Sequence, residues 1–318
     1  MIGNYTDRRD LLIRVAKLYY LENKSQQEIA DEIFTTRSNV SRLLSECVKQ
    51  HIIEFRINDT SSEELELQKR LKKTFGLKGA IVVPSTENRE ATKRKLGEAV
   101  VSLLRHELKN GMTLGVSWGT TLYCIASAFR PVRELSVDVV QLVGGMESKS
   151  IDTDGGEVTR RFARALGGDA YLACFPYIVR TRELHDMLLM EPEILSHMQR
   201  AASVNIALVG MGVPNGSFSS AIRAGYFSED DIKTLADSSS VADICGIQIN
   251  GSGKPCAEKV SGRIMGISFG ALKKVPSVIG VSTGKEKKEA VCASLLSGLI
   301  DIAALDADAA YAVLGETD

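Results

Sequence analysis

Apolar positions near the start of the chain recur at helical spacing in three short runs separated by polar breaks. Leu11, Leu12, Val15, Ala16, Leu18 and Tyr19 predict a first amphipathic helix. Ser25-Gln-Gln-Glu28 then forms a capping-box pattern: the serine hydroxyl accepts from the third helical N–H, and the glutamate accepts from the cap amide. The helix it opens, Gln26 to about Phe34, buries Ile29, Ala30 and Ile33. Thr35-Thr36 break it, and Thr36 caps a third helix reaching about Gln50, with Val40, Leu43, Leu44, Cys47 and Val48 as its apolar stripe. Ile52-Ile-Glu-Phe-Arg-Ile57 alternates apolar and polar, which predicts a strand in the position of a wing.

Asn58-Asp-Thr-Ser-Ser62 is a polar turn cluster, and Ser61 with Glu64 opens a charged helix carrying Leu65, Leu67, Leu71 and Phe75. From Gly79 onward the texture alternates strand and helix. The expected strands are Ala80–Val83, Met112–Val116, Val137–Val143, Val204–Val209, Ser277–Val281 and Ile300–Leu305. Nearly continuous apolar strands separated by helices imply a parallel sheet covered on both faces. The expected fold is α/β, with a winged helix-turn-helix domain over residues 1–58, a linker helix over 59–78 and a doubly wound α/β domain over 79–318.

Composition adds constraints. With 44% hydrophobic and 25% charged residues the chain has the make-up of a soluble globular protein. Its 39 Lys plus Arg against 40 Asp plus Glu do not advertise a nucleic-acid binder, but a small module needs only a local basic face. The polar start and the lack of a long apolar run predict neither a secretory signal nor a membrane span. Cys47, Cys124, Cys174, Cys245, Cys256 and Cys292 are scattered without a C-x-x-C pair, which suits a reduced cytoplasmic chain. The histidines show no zinc-ligand spacing, so neither a metal nor a cofactor is expected.

Candidate chemistry falls in two places. Thr36, Arg37, Ser38, Asn39, Ser41 and Arg42 lie on or beside the open face of the third helix's first turns. Arginine reads guanine bidentately, asparagine reads adenine, and serine serves base or phosphate, so these residues suit the major groove of duplex DNA. Arg56 on the expected wing would meet phosphate. A solvated helix face is the plainer reading of any one of these groups. In the sheet domain, Gly115-Val-Ser-Trp-Gly-Thr-Thr121 reads as strand, turn and helix start. Ser117, Thr120 and Thr121 there offer hydroxyls beside unsatisfied helix N–H groups, and Gly119 lets the backbone approach a ligand. Gln141-Leu-Val-Gly-Gly145 and Val281-Ser-Thr-Gly-Lys-Glu-Lys287 end other strands the same way. Gly210-Met-Gly-Val-Pro-Asn-Gly216 fails the dinucleotide spacing, and Gly280-Val-Ser-Thr-Gly-Lys285 is one residue short of a P-loop.

S-Q-Q-E-I-A followed by R-S-N-V-S-R-L-L resembles the helix-turn-helix of the SorC family of sugar-responsive regulators. G-V-S-W-G-T-T, Q-L-V-G-G, R-A-G-Y-F-S, A-D-I-C-G and the closing D-I-A-A-L-D-A-D-A-A are similar to that family's effector domain. The sequence departs from the family at Phe34-Thr35-Thr36, where a small hydrophobic residue and serine are more usual. The resemblance implies a non-enzymatic transcriptional regulator, most simply a repressor, with an effector domain related in fold to sugar-phosphate isomerases. It implies double-stranded operator DNA, a phosphorylated sugar or polyol effector, and a homo-oligomer (dimer or tetramer) as partners, with no membrane. Carried onto this chain, Thr120 and Thr121 match the phosphate loop and Lys287 the lysine of the late Gly-rich turn. Gln141, Gly144, Asp243 and Arg263 match strand-end positions near the sugar. The alternative is an isomerase or deaminase with an appended DNA module, with Asp152 or Asp154 as its base, and assay of turnover on sugar phosphates separates the two.

Overall fold

The computed structural model describes residues 8–53, 62–131, 135–145, 154–214, 216, 219–223 and 225–315, and the chain divides into two compact units, residues 1–59 and 60–318. The first unit contains helices α1 (Arg8–Tyr20), α2 (Gln26–Glu32) and α3 (Arg37–Lys49). Both caps anticipated in this unit form, while Ser61, expected to cap the next helix, lies outside the described residues. Ser25 and Glu28 make the reciprocal capping box, and Thr36 Oγ1 accepts from the Asn39 amide at 3.2 Å. Leu12, Val15, Ile29, Ala30, Val40, Leu43 and Cys47 close a small core. Val48, expected in the stripe, is exposed, because it lies a quarter-turn round the helix from Cys47, which is buried in that core. The wing strand and Arg56 fall outside the described residues, and Ile52 and Ile53 form a turn packed against the core.

The second unit begins with α4 (Ser62–Phe75), expected as a linker. Its Leu67 and Leu71 are buried in the sheet domain's core. There follow β1 (Gly79–Val83), α5 (Arg89–Glu107), β2 (Thr113–Val116), α6 (Thr120–Ala128), β3 (Val137–Gln141), α7 (Gly155–Leu166) and β4 (Gly167–Tyr171). The chain continues through α8 (Arg182–Leu188), α9 (Pro192–Ala202), β5 (Ile206–Gly210), α10 (Ser220–Arg223) and α11 (Glu229–Asp237). A hairpin of β6 (Ser240–Ile244) and β7 (Ile247–Asn250) leads to α12 (Glu258–Ser261) and α13 (Phe269–Leu272). The last elements are β8 (Ser277–Val281), a 3-10 turn at Lys285–Lys287, α14 (Lys288–Leu296), β9 (Ile302–Asp306) and α15 (Ala307–Leu314).

Among the described residues, seven strands make one parallel sheet in the order β1-β9-β8-β5-β2-β3-β4. The sheet is covered on both sides, as its apolar strands require. Along β5, Ile206 and Leu208 face a core shared with α5, α6 and α7, while Ala207 and Val209 face one shared with α4, α14 and α15. Leu96, Val100 and Leu104 of α5 are fully buried there, worth about 1.5–3 kcal/mol each. Two features have no anticipated strand. Gly167-Gly-Asp-Ala-Tyr171 lacks the apolar pattern, yet it pairs with β3 at the sheet edge; the register shifts after the Val137–Gly167 pair, and glycine is required at 168 because a Cβ there would stand 2.1 Å from the Val137 carbonyl oxygen. The β6–β7 hairpin turns through Cys245 and Gly246, both at positive φ, as tight two-residue hairpin turns require.

Candidate DNA-reading helix and ligand cavity

In the first unit, α3 starts from the Thr36 cap with Arg37, Ser38, Ser41 and Arg42 exposed. Asn39 is tied down on both sides. Its Nδ2 donates to Thr35 Oγ1 at 2.8 Å, and its Oδ1 accepts from Arg42 Nη2 at 2.8 Å. Ion pairs Arg8–Glu46 and Arg14–Glu32 brace α1 against α3 and α2. The start of α3 is therefore a pre-ordered row of donors with no carboxylate among them.

In the second unit a cavity opens over the carboxyl ends of the central strands β2, β5 and β8, where ligands of open α/β sheets bind. Ser117, Gly119, Thr120, Thr121, Asp243 and Lys287 all line it. Ser117 joins two of the strand ends, its Oγ accepting from the Gly210 amide at 3.3 Å. Gly119 takes φ 133°, a conformation closed to side chains, and caps α6 without a side-chain acceptor. The first intrahelical bond runs from the Tyr123 amide to the Gly119 carbonyl. Among the described residues no acceptor meets the Thr120, Thr121 or Leu122 amides, so the positive end of α6 points into the cavity uncompensated.

Lys287 enters from the 3-10 turn after β8 and borders both this cavity and a second, more polar one that shares Thr120. Burial of its ammonium lowers its pKa, and nearby Lys93 and Arg223 push the same way against Glu286 and Asp306. Among the described residues no carboxylate lies within ion-pair distance of this ammonium. Across the cavity, Asp243 accepts from the Gly246 amide at 3.0 Å and from Gln248 Nε2 at 2.6 Å. Desolvation raises its pKa to about 6 despite those two bonds. Trp118 makes edge contacts with Tyr177 and Tyr226, giving the cavity one aromatic wall.

Three expected residues lie off this wall. The Gln141 side chain is consumed by the fold, donating to the Val143 carbonyl and accepting from the Ala173 amide. Gly144 backs directly onto the Pro176 carbonyl. Arg263 pairs with Asp231 and donates to the Lys259 and Val179 carbonyls, so its guanidinium staples loops instead of meeting a ligand. Asp154 caps α7 by accepting from the Gly156 and Glu157 amides, and Asp152 is outside the described residues. The sequence reading missed Trp118, Tyr177, Ser219 and Met211 on the cavity wall, and Lys93 and Arg223 on its neighbour. The Gly210-Met-Gly212 turn carried a usable signal, because a Gly-rich turn closing an apolar strand marks a ligand edge even where the dinucleotide spacing fails.

Among the described residues no three potential metal ligands cluster, and no helix is long and apolar enough to cross a membrane. The Sugar-bind family of sugar-binding domains matches residues 59–315. The deoxyribonucleoside regulator of Bacillus subtilis is 28% identical, covering 98% of this chain and 99% of its own. A transcriptional regulator, LsrR, of Enterobacter is also 28% identical, over 96% of this chain and 93% of its own. The solved full-length sorbitol operon regulator SorC of Klebsiella pneumoniae superposes with a TM-score of 0.82 at 26% identity, covering 97% and 99% of the two chains. With a sugar-binding domain over most of its length and a helix-turn-helix ahead of it, the chain belongs to the SorC-type family of sugar-responsive transcriptional regulators.

Proposed function

We propose that operator binding by this regulator is controlled by a phosphorylated sugar or polyol, whose phosphate docks at the start of α6 beside Lys287. The observation that carries the reading is a half-buried ammonium that forms no ion pair among the described residues, beside the uncapped N-terminus of α6. Each is unfavourable alone, and one phosphate dianion satisfies both. Ser117, Thr120 and Thr121 add hydroxyls, Asp243 accepts from sugar hydroxyls, and the Trp118–Tyr177 wall suits the apolar face of a sugar. The test is calorimetry with paired phosphorylated and free sugars. The free sugar should bind far more weakly, and Thr120→Val should cost about 1.5–3 kcal/mol with the phosphorylated one. Equal affinity for the pair would remove the phosphate assignment.

In this reading the regulator is cytoplasmic and acts as a repressor. Duplex DNA is read by α3, with Arg37, Ser38, Asn39, Ser41 and Arg42 in the major groove. One such helix covers few base pairs, so the active form is a homodimer or tetramer on half-sites about 34 Å, or a multiple, apart. Arg42→Ala should weaken operator binding by about 1–3 kcal/mol if it reads a base. Gel-shift titration checks this, and unchanged affinity in both Arg42→Ala and Asn39→Ala would move readout off α3.

A further inference from the structure

We propose that Phe34 belongs to the DNA-reading surface, its ring packing on a thymine 5-methyl group at the edge of the major groove. The inference rests on the reading of α3 as the recognition helix. Phe34 is the first residue past Ile33, the C-cap of α2, and takes φ 55°. Beyond it the Thr35 amide donates to the Ala30 carbonyl at 2.8 Å, the long closing bond of a Schellman turn. Glycine takes that left-handed position without steric cost, and a bulky side chain seldom does. The ring gains nothing locally in return. It is 82% exposed, while its neighbour Ile33 packs on the core.

The turn nevertheless holds Phe34 in a defined place. Behind it is the α2 closure, and ahead are the Thr35–Asn39 hydrogen bond and the Thr36 cap of α3. An aromatic ring on a fixed backbone thus stands in solvent two residues before that cap, at the same end of α3 as Arg37, Ser38, Ser41 and Arg42. These polar side chains recognise donors and acceptors on base edges. The thymine methyl is the apolar feature of the major groove, and an aromatic or aliphatic side chain is what contacts it.

The experiment uses the full-length protein and a duplex that the wild type has selected from a random-sequence library, with binding followed by fluorescence anisotropy at fixed salt. Phe34→Asn, which tolerates the left-handed backbone, should melt at or above the wild-type temperature yet bind about tenfold more weakly. Phe34→Tyr, which keeps the ring, should bind like the wild type. Replacing dT by dU removes the methyl alone; at the contacted position it should weaken the wild type by a similar factor and leave Phe34→Asn unchanged. Wild-type affinity in Phe34→Asn, a loss indifferent to dU, or a change confined to oligomeric state would each overturn the proposal. Arg42→Ala and Asn39→Ala, run in parallel, separate the two failures. If either loses affinity while Phe34→Asn does not, α3 still reads DNA; if none of the three loses affinity, the reading of α3 fails and takes Phe34 with it.

Discussion

Lys287→Met should weaken binding of a phosphorylated effector by about ten- to a hundredfold and, at the same time, leave the unliganded protein as stable or more so. The first half follows from a charge-assisted contact of about 1.5–3 kcal/mol, at about 1.4 kcal/mol per factor of ten. The second follows from desolvation, the largest influence on this half-buried ammonium, which Glu286 and Asp306 offset only in part and which an apolar chain of similar length does not incur. The lowered pKa gives the sign with pH. A lysine whose folded pKa lies below its unfolded value penalises the fold most at low and neutral pH, and that penalty fades as pH rises through the folded pKa. A bound dianion reverses the shift, so binding above that pKa should take up a proton, visible as a buffer-dependent heat. Thermal melting with and without effector separates the two effects. A variant that melts lower and binds as before would show that Lys287 is a structural residue.

Most of the scaffold was legible in the sequence because it rests on signals that tertiary structure does not overrule. The Ser25–Glu28 box and the Thr36 cap are local, and six strands were visible as apolar runs whose two faces are both covered. The rest depended on neighbours. β4 needs glycine at 168 because a Cβ there would meet the Val137 carbonyl, which no local pattern reports. Gln141, Gly144 and Arg263 looked like site residues by position at strand ends, yet each is satisfied by the fold: a carbonyl and an amide, a close backbone approach, and Asp231. Thr120 and Lys287 differ in that, among the described residues, the Thr120 amide meets no acceptor and the Lys287 ammonium forms no ion pair, which is a property of three dimensions. A strand-end residue is thus a candidate by sequence, and its unmet hydrogen-bonding or charge is what marks it for a ligand.

Asp243 should give the free protein and its complex opposite responses to pH over the same interval. With its pKa raised to about 6, the carboxyl holds its proton in the folded state after the unfolded chain has lost it near pH 4. Stability then falls as pH rises between those values and levels off above them. The full shift corresponds to about 3 kcal/mol, and cavity water around the half-buried group should reduce it to about 1–2 kcal/mol. Sugar hydroxyls donate to the ionised form, so effector binding pulls the pKa down and affinity should rise from pH 5 to pH 7. A phosphate also gains its second charge near pH 6, which drives affinity the same way. Asp243→Asn distinguishes the two, because whatever slope survives in the variant belongs to the phosphate. Gln248 keeps its bonds to the Gly246 carbonyl and Ser240, so the hairpin retains part of its network when the carboxylate is lost. Urea midpoints at pH 5, 6 and 7 supply the test that owes nothing to ligand chemistry. The wild-type midpoint should fall relative to Asp243→Asn as pH rises, and parallel curves would mean that Asp243 titrates as an ordinary carboxylate and cannot tune the site.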